Sequence, residues 1–189
     1  FLFSLWRLQA VDPGLRHENV YALQMFHDGD VEQRLAFAHR FTEALQALPG
    51  VERVGLGSSA PLTSGIGNMQ RAPMLPGRDE PEPWMFGVRR VSPQYAPTLD
   101  IPIVQGRNID ETDRYGSEKT AVINREAARR LFGEADPINR IVELSVLNQP
   151  RVPYRIVGVS EDVRNSGLRA PPEPELWTAF ASEVTTVMT

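Results

Sequence analysis

One amphipathic stripe does most to limit how this chain folds. Apolar residues recur at Val31, Leu35, Ala38, Phe41, Leu45 and Leu48, three and four apart, which places them on one face of a helix. Asp30 stands where its carboxylate can accept from the first-turn amides, and Gln33 reaches back, the pattern of a capping box. Pro49-Gly50 ends the helix. A helix with one apolar face has to lie on a sheet or on another helix, and the flanks offer strands. "NVYALQMF", Asn19 to Phe26, is apolar on most of both faces of an extended chain, and Val51 to Gly57 reads as a second strand. The pattern predicts a strand-helix-strand unit in which Leu45 is a core residue and Gln46 faces away.

From Ser58 to Pro83 the composition shifts to Gly, Pro, Ser and charge, around a short strand within Asn68 to Leu75 and the polar break "PGRDEPEP". This reads as the crossing into a second region. There the expected strands are Trp84–Val91, Ile101–Gln105, Thr120–Ile123, Arg140–Val146, Val152–Val159 and Glu175–Phe180. Ser92 and Pro93 read as cap and first position of a single helical turn reaching Asp100. Asn124 caps a helix that runs through Leu131 and Phe132 and stops at Gly133. The fold class is α+β, a strand-helix-strand lobe (15–60) plus a second strand-rich mixed α/β lobe (61–180).

Composition narrows the function. A formal charge of -4, with nineteen Arg and a single Lys scattered along the chain, offers no basic patch for nucleic acid. No Cys is present, which removes disulfides, thiolate nucleophiles and thiolate metal sites together. Residues 1–14 open with Phe1, Leu2, Phe3, Leu5, Trp6 and Leu8 and close on a turn at Asp12-Pro13-Gly14. The apolar stretch is shorter than the roughly 20 residues a membrane span needs, and lacks the flanks of a signal peptide. It reads as an N-terminal helix packed on the domain or as the last turns of a membrane helix, with Trp6 beside Arg7 at the interface.

Each candidate for chemistry has a plainer explanation. "VGLGSSA", Val54 to Ala60, matches a Gly-x-Gly-x-x-Ala phosphate loop, but Pro61, Gly65 and Gly67 follow where a helix should begin. Ser58 and Ser59 lack the Gly-x-Ser-x-Gly elbow and need a base, for which only His17, His27 and His39 are available. Those histidines are ten or more residues apart, too far for a local metal site. In "HDGD", Asp28 and Asp30 form a weak cation pair, and capping already accounts for Asp30. Asp110, Glu111 and Asp113 read as a solvated loop or helix start. Arg107 follows a strand with these acids three, four and six positions on, so its guanidinium is placed to fork onto one of them and fasten a turn. No catalytic, cofactor-binding or metal-ligating residue is assigned.

The order of segments then matches a family. "LQAVDPGLRHENV", "LQALPGVERVGLGSSAPL", "VSPQYAPTLDIPIVQGRNIDETD", "AVINREAARRLFGEADPINRIVEL" and "YRIVGVSEDVRNSGLRAPPEPELW" together resemble the extracytoplasmic core domain of MacB-type, FtsX-like ABC transporter permeases, most of all the branch with duplicated permease halves. The resemblance covers about Leu8 to Phe180. It implies a non-enzymatic domain on the outer side of the cytoplasmic membrane, facing the periplasm or the cell exterior. Such a domain is joined to transmembrane helices of the same polypeptide and served by a separate cytoplasmic ABC ATPase. Its role would be to pass motion to a substrate or partner protein. Ser92, Pro93, Tyr95, Gly106 and Arg107 match the family's "SP-Y … GR" pattern as structural punctuation. Asn139 stands where that family commonly has Gly, and Asn best replaces a Gly of positive φ. "EVTTVMT", Glu183 to Thr189 within the segment 181–189, reads as the start of a strand, which the resemblance implies returns to complete the first lobe. An open edge there would favour self-pairing as a homodimer. The rival class is a membrane-tethered solute- or peptide-binding sensor with Ser58 to Pro83 as its lip, which requires a deep pocket.

Overall fold

The structure, a computed structural model, describes residues 12–25, 29–61, 69–113, 118–144 and 151–180. In chain order these form α1 (Val31–Gln46), β1 (Met69–Arg71), β2 (Pro73–Met74), β3 (Phe86–Val91), α2 (Tyr95–Thr98), β4 (Ile103–Gly106), β5 (Thr120–Asn124), α3 (Arg125–Phe132), β6 (Ile141–Leu144), β7 (Val152–Ser160) and β8 (Glu175–Ala179). The strands make one eight-stranded mixed sheet in the order β1-β3-β8-β5-β7-β6-β2, with β4 also paired to β7. Pairs β3–β8 and β5–β7 are parallel and the rest antiparallel. The α+β class stands.

Every residue of β5 and of β8 is buried, because alternate side chains enter different cores. Ala121, Ile123 and Leu176 join Val142 and Ile156 beneath α3, while Val122 and Trp177 pack with Tyr95, Leu99 and Ile109 on the α2 side. Strands covered on both faces have no polar side, so they read in sequence as continuous apolar runs.

Local signals were obeyed where backbone chemistry alone decides. The Asp30–Gln33 capping box opens α1, and the Asn124 side chain accepts from Ala127 N to open α3, whose C-cap is Gly133 at φ 60°. Asn139 has φ 64°, as a Gly-like position requires. At Gly106, φ 70°, a Cβ would run into the Val157 carbonyl, and at Gly158 one would strike the Arg107 carbonyl. Both glycines are required for this turn to lie against β7.

Three expectations fail. Neither 20–25 nor 51–56 forms a strand, and only Gly57 pairs with the sheet, by a single bridge to Val91. Alternating apolar residues favour extended chain but supply no partner, and the side chains of Tyr21 (88%) and Leu23 (66%) are left largely exposed. The α1 stripe is likewise only half covered. Ala38 is buried, Leu35, Phe41 and Leu45 are intermediate, and Leu48 is 52% exposed. Ser92 does not cap α2. Its hydroxyl accepts from Leu56 N at 2.9 Å while its own amide donates to Leu56 O at 2.9 Å, and the N-cap of α2 is Gln94 with no side-chain bond. The expected helix or stub within 1–14 falls mostly outside the described residues, as do the last two residues of the expected strand Arg140–Val146 and the strand start at 181–189.

Candidate functional site

The most buried ion pair among the described residues joins parallel neighbours. Arg89 of β3 is 1% exposed, and its Nε donates to Glu175 Oε1 of β8 at 2.8 Å. Its Nη1 donates to the Ser59 carbonyl at 2.8 Å, and its guanidinium lies 5.8 Å from the centre of the Tyr95 ring. The other Glu175 oxygen accepts from Asn165 Nδ2 at 2.9 Å, and Glu175 N donates to Asn124 Oδ1, the atom that caps α3. Burial alone drags the Arg89 pKa down, but the attraction of Glu175 and the bonds to Glu175 and Tyr95 leave it above its ordinary value. Burial pushes the Tyr95 phenol well up, so it stays neutral. Arg89 and Tyr95 therefore keep their ordinary protonation states at neutral pH. What the group does is tie together chain segments near 59, 89, 95, 124, 165 and 175.

The second polar knot is the Arg107 turn. Its guanidinium forks onto Asp113, Nη1 to Oδ2 at 2.7 Å and Nη2 to Oδ1 at 2.9 Å, and also donates to the Asn108 carbonyl. Asp113 is buried and further accepts from Asp110 N and the Thr120 hydroxyl. Burial opposes its ionisation, yet the Arg107 fork and these two donors hold its pKa below the usual carboxylate range. Thus one of the three acids read as solvated is instead the buried anchor of the turn, because a nearby guanidinium compensates its charge.

The other candidates do not converge. Gly55 and Gly57 serve close packing, since a Cβ on Gly55 would lie 2.8 Å from Tyr95 Cα and one on Gly57 2.8 Å from the Tyr95 ring. Residues 62–68, where a phosphate-binding helix would begin, lie outside those described. Ser58 is bonded to Arg90 through both its amide and its hydroxyl, and the buried Ser59 hydroxyl has no partner among the described residues. His39 pairs with Glu43 on α1 at 3.4 Å, His17 is exposed, and His27 and Asp28 lie outside the described residues. Among the described residues no group of three or more His, Asp or Glu is placed to hold a metal ion. Gln33, Ala36, His39 and Arg40 line an open depression along α1, unlike the enclosed pocket a solute sensor needs.

The family model of the MacB-like periplasmic core domain matches residues 8–187. The chain belongs to that family. Its fold is similar to the periplasmic region of MacB from Actinobacillus actinomycetemcomitans, with a TM-score of 0.52 and 17% identity over 76% of this chain and 55% of that one. It is similar also to the extracellular domain of the noncanonic ABC-type transporter YknZ from Gram-positive bacteria, with a TM-score of 0.52 and 18% identity over 82% and 70% of the two chains. The chain therefore spans little more than half of the MacB region it matches. No curated protein matches its sequence. In this periplasmic core domain the family punctuation has physical roles: Ser92 stitches residue 56 to the end of β3, Tyr95 stacks edge-on against Trp177 at 5.5 Å, and Gly106 lets Arg107 reach Asp113. Sequence reasoning missed Arg89 and Glu175. The only local signal is a pair of arginines inside the apolar run "FGVRRV".

Proposed function

We propose that this chain is the non-enzymatic extracytoplasmic domain of an ABC transporter permease, facing the periplasm or cell exterior. It passes motion between membrane helices of the same polypeptide and an extracytoplasmic substrate or partner protein, while a separate cytoplasmic ATPase supplies the chemistry. The division into a first lobe, 15–60, and a second, 61–180, belongs to the same proposal. The observation that supports it most is the use made of buried charge. Arg89, Glu175 and Asp113 all bind segments to one another, so a displacement of one segment is passed to the sheet through a close-packed interior of low compressibility. The test uses the full-length protein with its ATPase in lipid nanodiscs. Spin labels go at exposed Glu134 and at the adjoining membrane helix. A shift of their distance distribution between the ATP-free and vanadate-trapped states is expected, and an unchanged distribution would remove motion transmission. Calorimetry with ATP, magnesium and zinc on this chain should be silent, and saturable micromolar binding would overturn the non-enzymatic part.

A further inference from the structure

The two chain segments that flank residues 17–52, which contain α1, both bond to the end of α2. On the outgoing side Arg16 N donates to the Leu99 carbonyl at 2.7 Å. On the returning side Arg53 Nη1 donates to the Pro97 carbonyl at 3.0 Å. Between them stands Asp100, whose φ of 49° is strained for a residue with a Cβ. Its two carboxylate oxygens face different stems, Oδ1 lying 3.5 Å from Arg53 Nη1 and Oδ2 3.8 Å from Arg16 Nη1. Arg16 also reaches Glu52 at 3.6 Å, so the charges run Glu52, Arg16, Asp100, Arg53 with alternating sign. The C-terminal carbonyls of α2 and the carboxylate thus present acceptors to both stems at once.

We infer that Asp100 is an electrostatic latch that holds both stems of the α1 excursion on the body of the domain. Apolar contact adds little among the excursion's described side chains, where Ala38 is the only buried one and Val20 is partly buried against the α2-side core. The four charged side chains are a third or more exposed, so each pair is weak and screened by salt. Weakness suits a latch, because a strong buried pair would not open. The latch stands on this geometry alone. Its service as the point about which α1 moves during transport rests on the proposed function.

The test is residue-resolved amide hydrogen exchange on this chain at low and high salt. Asp100→Asn keeps a side chain tolerant of positive φ and removes the charge. Exchange at Arg16 N and Leu56 N is expected to rise together by about three- to tenfold at low salt, the range of one or two exposed pairs. About 1 M salt should bring the unmodified chain to the same rates. Amides of β5 should not change. Asp100→Gly, which relieves the backbone, should loosen the stems as well. Unchanged exchange at either stem, equal acceleration in β5, or full protection in Asp100→Gly would each overturn the latch. Such a failure would leave the transport reading to the spin-label distances.

Discussion

The α1 excursion and the sheet body carry equally clear apolar patterns and bury them to very different extents. On β5 and β8 no residue escapes burial, whereas on α1 the described stripe has one buried member, Ala38. The difference lies in what each pattern meets. A strand between two strands, with helices above and below, loses its apolar surface to neighbours on four sides. A helix joined to the body by stems near residues 16 and 53 keeps much of its surface in water. Periodicity sets the phase of an element, and only a complementary surface turns phase into stability.

The comparison predicts its largest effect at the buried pair. Arg89→Met strands the Glu175 carboxylate in the core and should cost about 3–5 kcal/mol in urea unfolding. Replacing both residues by apolar ones of similar volume should recover most of that loss. A single variant that unfolds like the parent would mean that Glu175 is solvated and that the body is looser than its packing implies.

Core truncation comes next. Leu176→Ala should cost about 2–5 kcal/mol because Leu176 is fully buried. Leu45→Ala, half-buried on α1, should cost about 1 kcal/mol, and Gln46→Ala no more than about 0.5 kcal/mol. Sequence alone places Leu45 among the costly positions. Equal losses at Leu45 and Leu176 would erase the contrast between the two regions.

A smaller effect with a pH signature belongs to the Arg107 turn. Arg107→Ala should cost about 1–3 kcal/mol, the range for hydrogen bonds to a charged group, since Asp113 keeps its other two donors. The folded-state pKa of Asp113 lies below its unfolded value, so the stability it lends is present above the ordinary carboxylate range. It is lost as pH falls through the depressed folded value. The stability gap between parent and Asp113→Asn in unfolding curves should therefore narrow as pH falls below the ordinary carboxylate range, and close only below the depressed folded value. A gap that stays constant with pH would show that shape and not charge is at work.

The smallest effect is at Asn139. Its φ of 64° suits Gly about as well as Asn, so Asn139→Gly should change stability by no more than about 0.5 kcal/mol. A β-branched Val there should cost about 1–2 kcal/mol. If thermal melting ranks Val with Gly, the local backbone relaxes and the position carries no conformational demand.

Much of the local structure could be read without coordinates. Asp30 with Gln33, Asn124 before α3, Gly133 after it and Asn139 each satisfy a demand that arises within a few residues, so the residue type announces the geometry. Arg107 was legible for the same reason, its carboxylate partner lying six positions away. Arg89 and Glu175 were not. They are 86 positions apart and meet only because β3 and β8 run parallel as neighbours, a pairing that no local pattern encodes. Ser92 misled because its hydroxyl had two uses, capping a turn or accepting from Leu56, and the approach of residues 54–58 decided between them.

By itself, then, the chain's order of residues determined where helices start and stop, which turns need Gly or Asn, and which faces are apolar. Sterics and hydrogen bonds within one or two turns of chain suffice for these. The tertiary structure alone decided that β3 lies beside β8 and β5 beside β7, that a full ion pair sits between two parallel strands, and that 20–25 and 51–56 stay outside the sheet. Each of those outcomes depends on which distant surfaces compete for the same edge, and that competition is settled only when the whole chain has closed on itself.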